Sequence, residues 1–274
     1  MFTLGLIGSN LDIKTFFSSL SQEQKKTVTG LQIIGDTYDE CSAKLQKPPH
    51  QSIEHFTDET QVLIFLSETA QSFELAINGL KLGKNIILAR YSYLDLDKIE
   101  RLEKLSKEAE RTVILLPTSD FLQRSTDTKT AHTFYIHRER HVANFHEASL
   151  VPVLYTDLLQ IQNLSHHVID RIKVLSSPKL MNEHSPITLS VSFTNGLHGT
   201  LVYSLASERN LFILYQGAEV KNIEQPLQAT AENDYRSEDA TIVSKLLTNA
   251  FSQSGLHDAP IIKQALVCVK EMIK

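Results

Sequence analysis

Residues 61–91 read QVLIFLSETAQSFELAINGLKLGKNIILARY, and the fold class turns on them. Val62 to Leu66 is an unbroken apolar run. That is the pattern of a strand buried on both faces, as in a parallel sheet. A polar break, Ser67-Glu68-Thr69, follows, and Phe73, Ala76, Ile77 and Leu80 then recur at helical spacing on one face. Gly83 ends that helix where a left-handed residue costs least. Asn85 to Leu88 predicts a second buried strand. Strand, helix and strand with tight joints make a right-handed βαβ unit, so the first half of the chain is α/β.

Working outward, Thr3 to Gly8 predicts a strand that starts almost at residue 1, and Gly8-Ser9-Asn10 a turn. Asp12 is placed to cap the next helix, whose apolar face is Phe16, Phe17 and Leu20. Leu31 to Gly35 is the second strand, ending at Asp36, and Asp39 to Leu45 a short helix ended by Pro48-Pro49. Leu96 to Ala109 is strongly amphipathic, with Ile99, Leu102 and Leu105 inward and its charges on a solvated face. Thr112 to Leu116 is a last parallel strand before a boundary at Pro117. Beyond it, Ala131 to His137 predicts a strand and Val151 to Leu164 a helix. Val168 to Leu175, Pro186 to Thr194, Gly199 to Ser207 and Leu211 to Tyr215 predict strands of antiparallel type. Asn195-Gly196 marks a hairpin over Leu189 to Tyr203. Ser237 to Gln253 and Ala259 to Lys274 are closing helices.

Composition narrows the function classes. A chain of 274 residues with 42% hydrophobic and 22% charged content builds full cores for one large or two ordinary domains. A net charge of −5 gives no reason to expect a nucleic-acid or anionic-membrane partner. No apolar run approaches the ~20 residues that cross a bilayer. Cys41 and Cys268 are far apart and lack metal-type spacing. Two idle thiols in a reducing, cytoplasmic setting are expected.

The stretch that sets the fold also carries a resemblance. Leu82-Gly83-Lys84-Asn85 is similar to the helix end of the dinucleotide-binding domain in the glucose-fructose oxidoreductase / inositol dehydrogenase family (Gfo/Idh/MocA). Asn195-Gly196-Leu197-His198-Gly199-Thr200-Leu201 resembles that family's sheet hairpin, and Ser237-Glu238-Asp239-Ala240 the start of its closing helix. The resemblance implies an α/β Rossmann-like N-terminal domain, residues 1–118. After it comes an α+β C-terminal domain with an open, mostly antiparallel sheet, residues 119–274. It further implies NAD or NADP as cofactor, a sugar- or polyol-like substrate, and a homodimer formed through the second sheet. Between Pro117 and Val151 the chain is shorter than the family pattern.

The site residues follow from the same correspondence. A dinucleotide site needs amides at a helix N-terminus, glycines that let phosphate approach, and an acid for the ribose. Gly8 matches the first glycine of the fingerprint, while Asn10 and Ile13 stand at the second and third. The cofactor positions are then Gly8, Ser9, Asn10, Asp36, Ser67 and Glu68, with Asp36 as the ribose acid. Ala89-Arg90-Tyr91 stands where the family has Glu-Lys-Pro, and Glu68 where it has a turn proline. Arg90 binds an anion but cannot shuttle a proton, because a guanidinium stays protonated near neutral pH. Of the family's Asp-x-x-x-His-x-x-Asp helix, Leu150 and Leu154 replace the first two groups and only Asp157 remains. The candidate catalytic positions are therefore Arg90, Asp157 and Tyr155, with Tyr91 as another available phenol.

His137 and His141 are four apart, a spacing that serves a metal when the two share a face. Arg138 and Arg140 beside them argue against a cation, so no metal is expected and a solvated strand-to-loop face is. Two readings compete. One is a homologue that has lost its catalytic and diphosphate groups, keeping at most nucleotide or small-polar-ligand binding and dimer assembly. The other is an active NAD(P)-dependent dehydrogenase.

Overall fold

The computed structural model describes residues 2–34, 52–56, 60–67, 69–91, 93–116, 133–142, 145–165, 167–176, 185–205, 211–216, 219–224, 255–256 and 258–273. The chain divides into two compact units: Met1–Thr118 with Ala231–Ala259, and Ser119–Thr230 with Pro260–Lys274.

The first unit is built on a parallel sheet. Its strands are β1 (Leu4–Gly8), β2 (Val28–Ile33), β3 (Val62–Phe65), β4 (Asn85–Leu88), β5 (Thr112–Leu115) and β12 (Gly255–Leu256). Their order is β12-β5-β4-β3-β1-β2. Helices α1 (Asn10–Ser19), α2 (Gln22–Thr27), α3 (Ala70–Lys81) and α4 (Leu96–Glu108) connect them. Strands β1, β3 and β5 are buried at every residue, as their unbroken apolar runs require. Burying each Leu or Ile contributes roughly 1.5–3 kcal/mol. The chain leaves β1 toward β2 on one side and continues through β3, β4 and β5 on the other. The β1–β3 junction is therefore the switch point, beside which open α/β sheets hold their ligands. Ile7 pairs with Phe65, so the C-terminal ends of β1 and β3 are level. Gly83 takes φ +71 after α3, the left-handed C-terminal stop read from the sequence.

The second unit holds β6 (Thr133–His141), β7 (Ile169–Ser176), β8 (Ile187–Phe193), β9 (His198–Ser204), β10 (Leu211–Gln216) and β11 (Glu219–Glu224). Their order is β11-β10-β6-β9-β8-β7. Helices α5 (Glu147–Ser165) and α6 (Ala259–Ile273) belong with them. Strand β8 alternates buried and half-buried residues along its length. This sheet thus has one inner face, which includes Ile136, Leu189, Val191 and Leu201, and one polar outer face.

The architecture is the one expected, an α/β unit and an α+β unit with a mostly antiparallel sheet. Several details differ. Strand β2 starts at Val28 rather than Leu31, because the preceding residues form α2. That short helix is held by a reciprocal capping box between Ser21 and Gln24. Strand β12 adds a parallel strand beyond β5. Strands β6 and β9 pair in parallel within a sheet whose other pairs are antiparallel. Strand β11 has no counterpart in the sequence reading. The helices expected over 39–45 and 237–253 lie outside the described residues, as does Cys41.

Candidate functional site

The first polar site forms at the switch point. Strand β1 ends at Gly8, and Ser9 caps α1: its Oγ accepts from the Asp12 amide at 3.2 Å. The Ser9 hydroxyl in turn donates to Asp12 Oδ2 at 2.7 Å. Ser67, just past β3, donates its hydroxyl to the same Oδ2 at 2.6 Å and accepts from the Ser9 amide. Asp12 was expected as the cap; the cap is Ser9, and Asp12 stands at the third helical position. There its charge faces the positive end of the helix. Gly8 lets this network close. A Cβ there would lie 2.8 Å from Ser67 Oγ and 3.2 Å from Leu66 Cβ. Ile13 is fully buried, so α1 packs on the sheet without a glycine at that position.

Gly8, Ser9 and Ser67 are thus brought together, and Asn10 opens α1 beside them. Asp36 and Glu68 lie outside the described residues. Arg90 follows β4 and is half-buried; its Nη1 donates to the Ala89 carbonyl at 2.7 Å. Tyr91 is buried.

The second polar site lies inside the second unit. Asp157 on α5 is buried, and its Oδ1 lies 3.4 Å from Arg138 Nε and 3.2 Å from Arg140 Nη2, both on β6. Tyr203 on β9 donates its hydroxyl to Asp157 Oδ2 at 3.0 Å. Residues 138 and 140 share the inner face of β6, and the sheet register puts Tyr203 opposite Arg140. Burial lowers the Arg138 guanidinium from its usual value, against the pull of Asp157. Burial, with Asp157 beside it, pushes the Tyr203 phenol well above its usual value. Tyr155 is fully buried on the same helix, and Leu150 and Leu154 are each 1% exposed. Arg138 and Arg140 were expected on a solvated face; they lie on the inner one instead.

His137 and His141 share the outer face of β6. Four residues of strand separate them by roughly 13 Å, beyond the reach of one ion. Among the described residues no group of His, Cys, Asp or Glu is placed to hold a metal. No described helix is long and apolar enough to cross a membrane. Cys268 is buried on α6, and burial pushes its thiol up to about 12. That keeps it protonated and unreactive near neutral pH.

Sequence reasoning missed three partners of Asp157 and the role of Asp12. The signal for Arg138 and Arg140 was available: Ile136, Arg138 and Arg140 alternate with His137, Glu139 and His141 at the period of a strand. Tyr203 is tied to Asp157 only through tertiary structure, 46 residues away.

No family model matches this chain, and no curated protein matches it by sequence. Solved structures do match in fold. Myo-inositol 2-dehydrogenase from Lactobacillus plantarum aligns at TM-score 0.68 with 10% identity, over 100% of this chain and 96% of that one. GenD2 from gentamicin A biosynthesis, solved with NAD, aligns at TM-score 0.67 with 8% identity, over 99% and 93%. Biliverdin reductase from Synechocystis sp. PCC 6803, solved with biliverdin and NADP+, aligns at TM-score 0.59 with 14% identity, over 99% and 98%. These neighbours are dehydrogenases and reductases of Gfo/Idh/MocA type, and the chain shares their fold over nearly its whole length.

Proposed function

We propose that this chain is a non-catalytic protein on a Gfo/Idh/MocA-type dehydrogenase fold. Its role rests on holding a small polar ligand and on homodimer assembly through the outer face of the second sheet. The supporting observation is the state of α5. Leu150 and Leu154, at the positions where the resemblance expects an acid and a histidine, are core residues with 1% exposure. Asp157 is committed to Arg138, Arg140 and Tyr203, and Tyr155 is fully buried. Arg90 in place of the family lysine carries no transferable proton near neutral pH. A positioned acid or base contributes ~100- to 10,000-fold to a proton transfer. Losing several together removes the means to couple hydride transfer to deprotonation of an alcohol.

The test is direct. The full-length protein is incubated with NAD+ or NADP+ and a panel of polyols, sugars and nucleotide sugars, and reduced nicotinamide is followed by absorbance. The expected result is no turnover above the uncatalysed rate. Turnover at about 1 s⁻¹ or faster on any member, within the ordinary enzyme range, sinks the non-catalytic reading. Light scattering on the same sample reads assembly: twice the chain mass is expected, and a monomer removes that half of the proposal.

A further inference from the structure

We infer that Asp12 is a specificity-determining residue that turns the β1–β3 switch point against diphosphates. The fold leads one to expect a dinucleotide here, and the residues present do not fit one. A diphosphate at such a turn needs open amide donors, space over the first glycine, and no like charge. The described residues work against each of the three. The Ser9 amide already donates to Ser67 Oγ, and the Asp12 amide to Ser9 Oγ. Ser67 fills the approach to Gly8, its Oγ 2.8 Å from where a Cβ would stand. The Asp12 carboxylate takes the hydrogen bonds of both hydroxyls at 2.6 and 2.7 Å, so the negative charge at the helix end comes from the chain itself. A phosphate arriving there meets a like charge at contact range, where repulsion between partly buried groups is strong.

The carboxylate is one link of a network spanning both βα turns of the switch point. Its hydroxyls come from α1's cap and from the end of β3, 58 residues apart in sequence. The ligand class left to this junction is one with no phosphate at the turn: a neutral polyol, sugar or nucleoside. This reading concerns what the first unit excludes and is argued from other residues than those of α5 that support the non-catalytic reading.

The experiment measures NAD+ and NADP+ binding by calorimetry to the full-length wild type and to two variants, Asp12→Asn and Ser67→Ala. Asp12→Asn keeps the size of the side chain and removes its charge. Ser67→Ala opens the space over Gly8. The wild type is expected to show no saturable binding at millimolar dinucleotide, and Asp12→Asn to gain roughly tenfold or more in affinity. Circular dichroism and melting temperature report whether each variant keeps its fold. Micromolar binding of either dinucleotide to the wild type overturns the inference. So does failure of both folded variants to gain affinity. Wild-type binding without turnover sinks this inference and leaves the non-catalytic reading standing; turnover sinks both.

Discussion

Each unit organises its polar network around one aspartate, and the two circumstances are opposite. Asp12 is half-buried at a helix start and takes hydrogen bonds from two hydroxyls. Asp157 is 1% exposed and lies between two guanidiniums and a phenol. At the first site water and the helix dipole share the charge, so the carboxylate adds little to stability and much to ligand selection. At the second the charges have left water, and each is tolerable only while the others stay in place. The same residue type thus sets specificity in one unit and structural integrity in the other.

The sharpest way to break this contrast is to make the same substitution in both places. Asp157→Asn leaves two buried guanidiniums facing a neutral amide, and is expected to destabilise by about 3–5 kcal/mol in urea unfolding. A loss below about 1 kcal/mol would mean that the arginines find other partners and that the buried cluster is not organised by its carboxylate.

Tyr203→Phe tests the same cluster more gently. It removes one hydrogen bond to a charged acceptor, an expected loss of about 1.5–3 kcal/mol near neutral pH. The pH dependence has a definite sign. The folded phenol is held well above its ordinary 10.0, so the unfolded chain ionises first. Its contribution is intact below pH 10 and falls as pH rises further, by up to about 1.4 kcal/mol per unit. The phenylalanine variant should lose that part of the alkaline decline. Cys268, raised to about 12, has the same sign and starts its decline lower, so Cys268→Ala separates the two.

At the switch point the expected effects are smaller. Gly8→Ala brings a Cβ against Ser67 Oγ and should cost about 1–3 kcal/mol. Ser67→Gly in the same chain should recover most of that loss, since the glycine is there to admit the hydroxyl. If the double variant is no more stable than Gly8→Ala alone, Ser67 is not what fills the space above β1.

How much of this was legible from the sequence follows from range. The βαβ stretch, its Gly83 stop and the Asn195-Gly196 hairpin rest on contacts within a few residues, and local pattern recovers them. Strand β12 is two residues long, and its pairing with β5 depends on the chain returning after more than a hundred residues. No periodicity marks that. Gly8 was legible as a glycine that a strand end requires, but its partner was not: the fingerprint points to phosphate, and the structure puts Ser67 there. The leucines at 150 and 154 were legible as apolar residues one helical turn apart, and both are buried. That Tyr203 joins the Asp157 cluster required the pairing of β6 with β9, which sets it opposite Arg140.

Asp12→Asn closes the comparison and carries the smallest expected change in stability. Both hydroxyls can still donate to the amide oxygen, so the network's geometry survives. What is lost is one negative charge near the start of α1, about 0.3–1 kcal/mol at low ionic strength and less as salt is added. The variant should therefore melt within a few degrees of the wild type, whereas Asp157→Asn should not. A large loss at Asp12 would mean that the carboxylate holds the two βα turns together. The barrier to diphosphate would then be a by-product of folding rather than a separable property. A small loss accompanied by gained dinucleotide affinity would show that stability and exclusion are carried by different atoms of one network, with the hydroxyls fixing the turn and the charge choosing the ligand.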